Sequence, residues 1–225
     1  SGAGTLTSSI AFGGDTGSVS ALTENYDGSS WTEVNDLNTA RKFLGGLGTA
    51  TASLAASSST HSTDAESWNG SSWTAMTAIN TGRSLLRGFG ISTAGNMVGG
   101  TDNSPGTEVL TNNEYWNGST WTELNDLNVG RHSVAGSGVY TAALAAGGRT
   151  APGANSAANE LWDGTSWTES SDLNTARRGS GSSGPSSTAA LISGGYTTTY
   201  STVTENWNGS SWTEVADLST GREQH

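Results

Sequence analysis

The sequence predicts an all-β chain folded as a single five-bladed β-propeller of four-stranded antiparallel blades, on three observations. An element of the form Glu-x-aromatic-Asn/Asp-Gly-x-x-Trp-Thr comes round five times, beginning at Glu24, Glu66, Glu114, Glu160 and Glu205. Each Glu is followed 17 residues later by an Arg, at Arg41, Arg83, Arg131, Arg177 and Arg222. Counted through the C-terminus and back into the N-terminus, the distance from Arg222 to Gly13 is 16, the same as from Arg83 to Gly99 and from Arg131 to Gly147. The count therefore closes on a whole number of periods, as a ring requires. A period of about 45 residues holding four short strands is that of a propeller blade. Helical repeats are excluded by the absence of any 3.6-residue apolar pattern and by the density of Gly, Ser and Thr.

Each blade is read in chain order. A Gly-rich innermost strand follows the Arg, as in residues 131–139. Next comes a short apolar strand running into a Gly pair, at Gly13-Gly14, Gly99-Gly100, Gly147-Gly148 and Gly194-Gly195. In the second copy Ser57-Ser58 stands there, so the conformation that glycine permits is either unneeded or strained at that place. A polar loop leads to the third and fourth strands. Between these, Asn-Gly or Asp-Gly predicts a two-residue type I′ turn, whose two central positions need positive φ. The arithmetic of closure predicts that residues 222–225 lie end to end with residues 1–4 in one innermost strand, so that both termini complete the first blade.

All nine tryptophans fall within the repeated element. Trp31, Trp73, Trp121, Trp167 and Trp212 recur as the second aromatic of each hairpin and are expected to fill the widening wedge between blades. The five Glu and five Arg, at fixed separation, are expected to meet as blade-to-blade ion pairs.

Composition narrows the function. The net charge of −11, with nine basic residues against twenty acidic, argues against a phosphate-binding surface and hence against nucleic acid. No apolar run approaches a membrane span of roughly 18 residues, and no signal-peptide pattern opens the chain. There is no cysteine, which removes disulfides and thiolate metal sites. His61, His132 and His225 occupy unrelated repeat positions, so the repeat assembles neither a metal site nor a catalytic triad. No cofactor, no metal and no enzymatic activity are expected. Asn69-Gly70-Ser71, Asn117-Gly118-Ser119 and Asn208-Gly209-Ser210 match the glycosylation sequon, but turn chemistry already explains each Asn-Gly.

The Gly pair after an apolar strand, the aromatic some ten residues on, the later Trp and the Arg opening the next unit resemble kelch repeats over the whole chain. The resemblance is to a shortened, Gly/Ser/Thr-rich variant, similar to repetitive proteins of tailed phages and bacterial surfaces. Kelch propellers usually have six or seven blades, so five is a departure. Trp162-Asp163-Gly164 is also similar to an element of the five-bladed tachylectin-like lectins. Two family activities are not matched: the kelch-like galactose oxidase uses a cysteine-modified tyrosine, and the sialidase Asp-box places its Asp two residues before Gly, whereas Asp27 directly precedes Gly28.

What varies between copies is the loop between Gly pair and Glu, at 15–23, 59–65, 101–113, 149–159 and 196–204. All five lengths are odd, which preserves the face presented by the following strand. These loops are expected on the same rim as the repeated Asp36, Asp126, Asp172 and Asp217, with Asp102 and Asn103 inside the longest loop. The Asp residues either cap turns or bind. The expected function is a non-catalytic, rigid binding or display module, monomeric, extracellular or virion-associated, facing an unknown protein or glycan. The alternative is a lectin with one sugar site per blade or blade interface.

Overall fold

The computed structural model describes residues 1–102 and 108–223. Among these described residues there are twenty strands and no helix, and the strands form five four-stranded antiparallel sheets arranged as a five-bladed propeller. Blade 1 is β1 (Gly2–Thr5), β2 (Ser8–Asp15), β3 (Val19–Tyr26) and β4 (Trp31–Glu33). Blade 2 is β5 (Gly45–Thr49), β6 (Ala52–Ala56), β7 (Ala65–Trp68) and β8 (Trp73–Met76). Blade 3 is β9 (Arg87–Ile91), β10 (Ala94–Val98), β11 (Asn113–Trp116) and β12 (Trp121–Glu123). Blade 4 is β13 (Ala135–Val139), β14 (Ala142–Ala146), β15 (Asn159–Trp162) and β16 (Trp167–Ser170). Blade 5 is β17 (Gly181–Ser186), β18 (Ala189–Ser193), β19 (Thr204–Trp207) and β20 (Trp212–Glu214).

Every blade is an up-and-down meander, so its loops sort onto two faces. The β1–β2 type turns and the Asn-Gly loops share one face, which we call the turn face. The β2–β3 type loops and the connectors between blades share the other, the loop face.

The Asn-Gly hairpins differ from the expected two-residue turn. Trp68 pairs directly with Trp73, leaving the four residues 69–72 in the loop. Only Gly70 has positive φ there; Asn69 instead accepts, through Oδ1, the N–H groups of Ser71 and Ser72 and the Ser71 hydroxyl, each at 2.9 Å. The Asn side chain thus does the work assigned to a second left-handed residue. The same pattern recurs at Asn117 and Asn208, and with a carboxylate at Asp27.

Between blades the core is built the same way four times. The trailing face of one blade supplies residues such as Ile10, Phe12, Leu37 and Leu44, and the next blade supplies Ala55 and the pair Trp68 and Trp73. Equivalent clusters join blades 2 and 3, 3 and 4, and 4 and 5. The two Trp rings of each hairpin lie 5.1–5.5 Å apart in blades 2 to 5. Wherever an interface forms, the expected wedge is there. The Arg and Glu meet across the same four interfaces, as Arg41–Glu66, Arg83–Glu114, Arg131–Glu160 and Arg177–Glu205, all eight side chains buried. Each carboxylate is also capped by two backbone N–H groups of the connector, as Glu66 is by those of Asn38 and Thr39. This additional bonding offsets the cost of taking both charges out of water.

The fifth interface departs from expectation. Arg222 and Glu24 are both exposed and make no ion pair among the described residues, and Trp31 is 50 % exposed where its four counterparts are 5–6 %. Among the described residues no apolar cluster joins blade 5 to blade 1. The innermost strand of blade 1 comes from the N-terminal segment, with Ser1 and Phe12 exchanging hydrogen bonds at 2.9 and 3.0 Å. The Arg222 carbonyl still accepts from Gly195 N–H in its own blade, as that of Arg131 accepts from Gly100. The predicted end-to-end run through Gln224 and His225 lies outside the described residues.

Candidate functional site

The loop face carries the side chains that the scaffold does not consume. Of the nine basic residues, four are locked in the buried pairs and Arg87 crosses the central channel, donating from Nε to the Gly136 carbonyl and from Nη2 to the Ser182 hydroxyl. The remaining four, Lys42, Arg149, Arg178 and Arg222, all stand on connectors or loops of this one face.

The loops are anchored before they display anything. The first residue of each Gly pair is left-handed, and a Cβ built at Gly13, Gly99 or Gly147 would meet the carbonyl oxygen of Arg41, Arg131 or Arg177 at 2.7, 2.4 and 2.6 Å. In blade 2 Ser57 keeps the same φ, +68°, and its hydroxyl hydrogen-bonds the Arg83 carbonyl and accepts from the Arg83 N–H. The strain is present, and the side chain converts the clash into a bond. Ser58, by contrast, lacks the positive φ of the second glycine.

A further tie runs round the channel mouth. Leu85 N–H donates to Phe43 C=O, Ser133 N–H to Leu85 C=O and Gly179 N–H to Ser133 C=O, at 2.8–2.9 Å. The first three of these residues are left-handed without being glycine, which is why nothing in the sequence marked them.

The predicted rim residues do reach the loop face. Asp36, Asp126 and Asp217 are exposed, and each accepts through Oδ1 the N–H of a third-strand residue, Thr23, Asn113 or Thr204, at 3.0–3.2 Å. Asp126 and Asp217 also accept from Thr111 and Thr202 hydroxyls. Asp172 and Asp102 are exposed. Asn103 lies outside the described residues.

Sequence reasoning missed the densest cluster, at blades 4 and 5. The Arg178 guanidinium lies 4.4 Å from the Tyr196 ring centre, and Tyr200 packs edge-on to Tyr196 at 5.9 Å while remaining 65 % exposed. Arg178 is held by Glu223 at 3.1 Å and by Asn155 Oδ1 at 3.2 Å. Asn155 in turn donates to the Tyr196 and Thr197 carbonyls, tying the loop 149–159 to the loop 196–204. The available signal was the doubled cation Arg177-Arg178 and the two tyrosines in the last variable loop. The tyrosines do not follow the repeat, and the doubled cation recurs only as Arg41-Lys42.

On the turn face, shallow grooves of about 380 and 420 Å3 lie at two successive interfaces. The first is lined by Trp68, Trp116 and the Gly118-Ser119 loop, the second by Trp68, Asn35 and the Gly70-Ser71 loop. Among the described residues no three His, Asp or Glu side chains converge to hold a metal ion. Among the described residues no helix is long and apolar enough to cross a membrane. The chain matches no protein-family model and no curated protein.

Proposed function

We propose that the protein is a non-catalytic binding module of kelch-like repeats, a rigid ring that displays variable loops for adhesion on a virion or cell surface. The observation that carries this reading is the exposed Tyr200 on its Tyr196–Arg178 support, where loops of two blades are tied into one body. An aromatic face beside a fixed guanidinium suits a sugar ring or a polar protein surface, and it is held still before any partner arrives, which reduces the entropy lost on binding. A panel of glycans and surface proteins titrated against the chain tests it. One site per chain is expected, weakened at least tenfold by Tyr200→Ala; turnover of any ligand would overturn the reading.

A second reading, a lectin with a site at each blade interface, is favoured by the recurring grooves beside Trp68 and Trp116. It predicts several equivalent sites, indifferent to Tyr200 and weakened by changes at Ser71 or Ser119.

A further inference from the structure

The four built interfaces define what the two end faces of the ring require. A leading face presents a Glu, the two hairpin aromatics and a small residue of the second strand. A trailing face presents an Arg, a Leu or Ile four residues before that Arg, and two connector N–H groups aimed at the Glu. Blade 1 presents a leading face with Glu24, Tyr26, Trp31 and Ala11, and blade 5 a trailing face with Arg222, Leu218, Leu191 and the backbone at 219 and 220. Glu24, Trp31, Leu191 and Arg222 are all exposed in this structure, and Leu218 is half-buried where Leu37, Ile79, Leu127 and Leu173 are covered.

We propose that these faces form a head-to-tail interface between copies of this chain, blade 5 of one molecule seated on blade 1 of the next, with Arg222 taking Glu24 across the junction. The two faces are unlike, one offering the Glu24 carboxylate and the other the Arg222 guanidinium, so each is complementary to the other and not to itself, which makes the contact heterologous. Among the described residues no apolar cluster and no ion pair joins them within one molecule, and a second copy brings the missing half. The junction is weaker than the built four. Asn35, Thr77, Asn125 and Ser171 each donate to a carbonyl in the next blade's turn-face loop, whereas Ala216 holds that position in blade 5. Ser219 replaces the Asn that at 38, 128 and 174 reaches both the Glu and a Trp carbonyl. The association is therefore reversible and dependent on concentration and salt.

Sedimentation velocity over a wide range of chain concentration tests this, with iodide quenching of Trp31 fluorescence as a second readout. The mean mass is expected to rise above 22.9 kDa with concentration while Trp31 becomes protected. Glu24→Arg and Arg222→Glu are each expected to weaken association at least tenfold. Their equimolar mixture should restore it, because each variant carries the charge the other lacks. Both sites are exposed, and unchanged melting temperatures would show that both variants fold. A monomer with Trp31 freely quenched at all concentrations overturns the proposal. So does a monomer with Trp31 protected, which would mean that the ring closes on itself. Association that survives both charge reversals would place the contact elsewhere and overturn it too.

Discussion

At Ser57 a single side chain decides whether a repeat unit can lose its glycine. The residue holds a left-handed backbone that costs an L-amino acid roughly 1–2 kcal/mol, and its hydroxyl recovers part of this through the Arg83 backbone. Ser57→Ala keeps the strain and forfeits the bond, so it should destabilise by about 1–2 kcal/mol in urea. Ser57→Gly loses the bond but relieves the strain and should lie within about 1 kcal/mol of the parent. The loop carboxylate Asp27 offers a second test at this scale. The N–H of Ser30, with the hydroxyl and N–H of Ser29, holds its pKa down to about 2. A folded-state pKa below the unfolded value contributes stability above the unfolded pKa, and the contribution is lost as pH falls through the folded one. NMR titration should therefore find the Asp27 midpoint near 2, and Asp27→Asn should keep the loop, since Asn69 holds the same geometry. A midpoint near 4 would contradict the bonding described.

At the scale of the element, the division is between side chains that fill the wedge and those that finish a loop. Trp73 is buried, meets Phe12 edge-on at 4.9 Å and donates to Thr23 Oγ1. Trp73→Ala should cost roughly 3–5 kcal/mol. Asp126→Ala removes one backbone cap and one hydroxyl partner and should cost about 1 kcal/mol in the same chemical denaturation. Equal losses would mean that the rim Asp residues belong to the scaffold. These elements were legible because their signals are local: Trp spacing, alternation along short strands, and glycine where φ must be positive. The turn type was misread because Asn-Gly serves both a type I′ turn and a four-residue loop closed by the Asn side chain. Only the Trp68–Trp73 register separates the two. The left-handed Phe43, Leu85 and Ser133 were illegible for the opposite reason, since residues without any left-handed preference are held there by the hydrogen bonds between successive blades. Tyr200 and Arg178 were missed because a binding site, unlike a scaffold, has no reason to repeat.

For the whole molecule, five equivalent units give four equivalent interfaces and one that differs. The Glu and Arg present in every copy pointed to pairs between blades, of which four form and the one between Arg222 and Glu24 does not. That fifth pair depends on the accumulated rotation from blade to blade, which no local segment encodes. Stability resides in the four built interfaces, each pinned by a buried ion pair, and not in the fifth. The direct measurement is the same substitution at two equivalent positions, Glu114→Gln and Glu24→Gln, followed by urea unfolding at a dilution where the chain is monomeric. Glu114→Gln leaves Arg83 charged and unpaired in the core and should cost about 3–5 kcal/mol. Glu24→Gln, at an exposed and unpaired site, should stay within about 0.5 kcal/mol of the parent. Comparable losses at the two positions would contradict the claim, because Glu24 would then be paired across a closed ring.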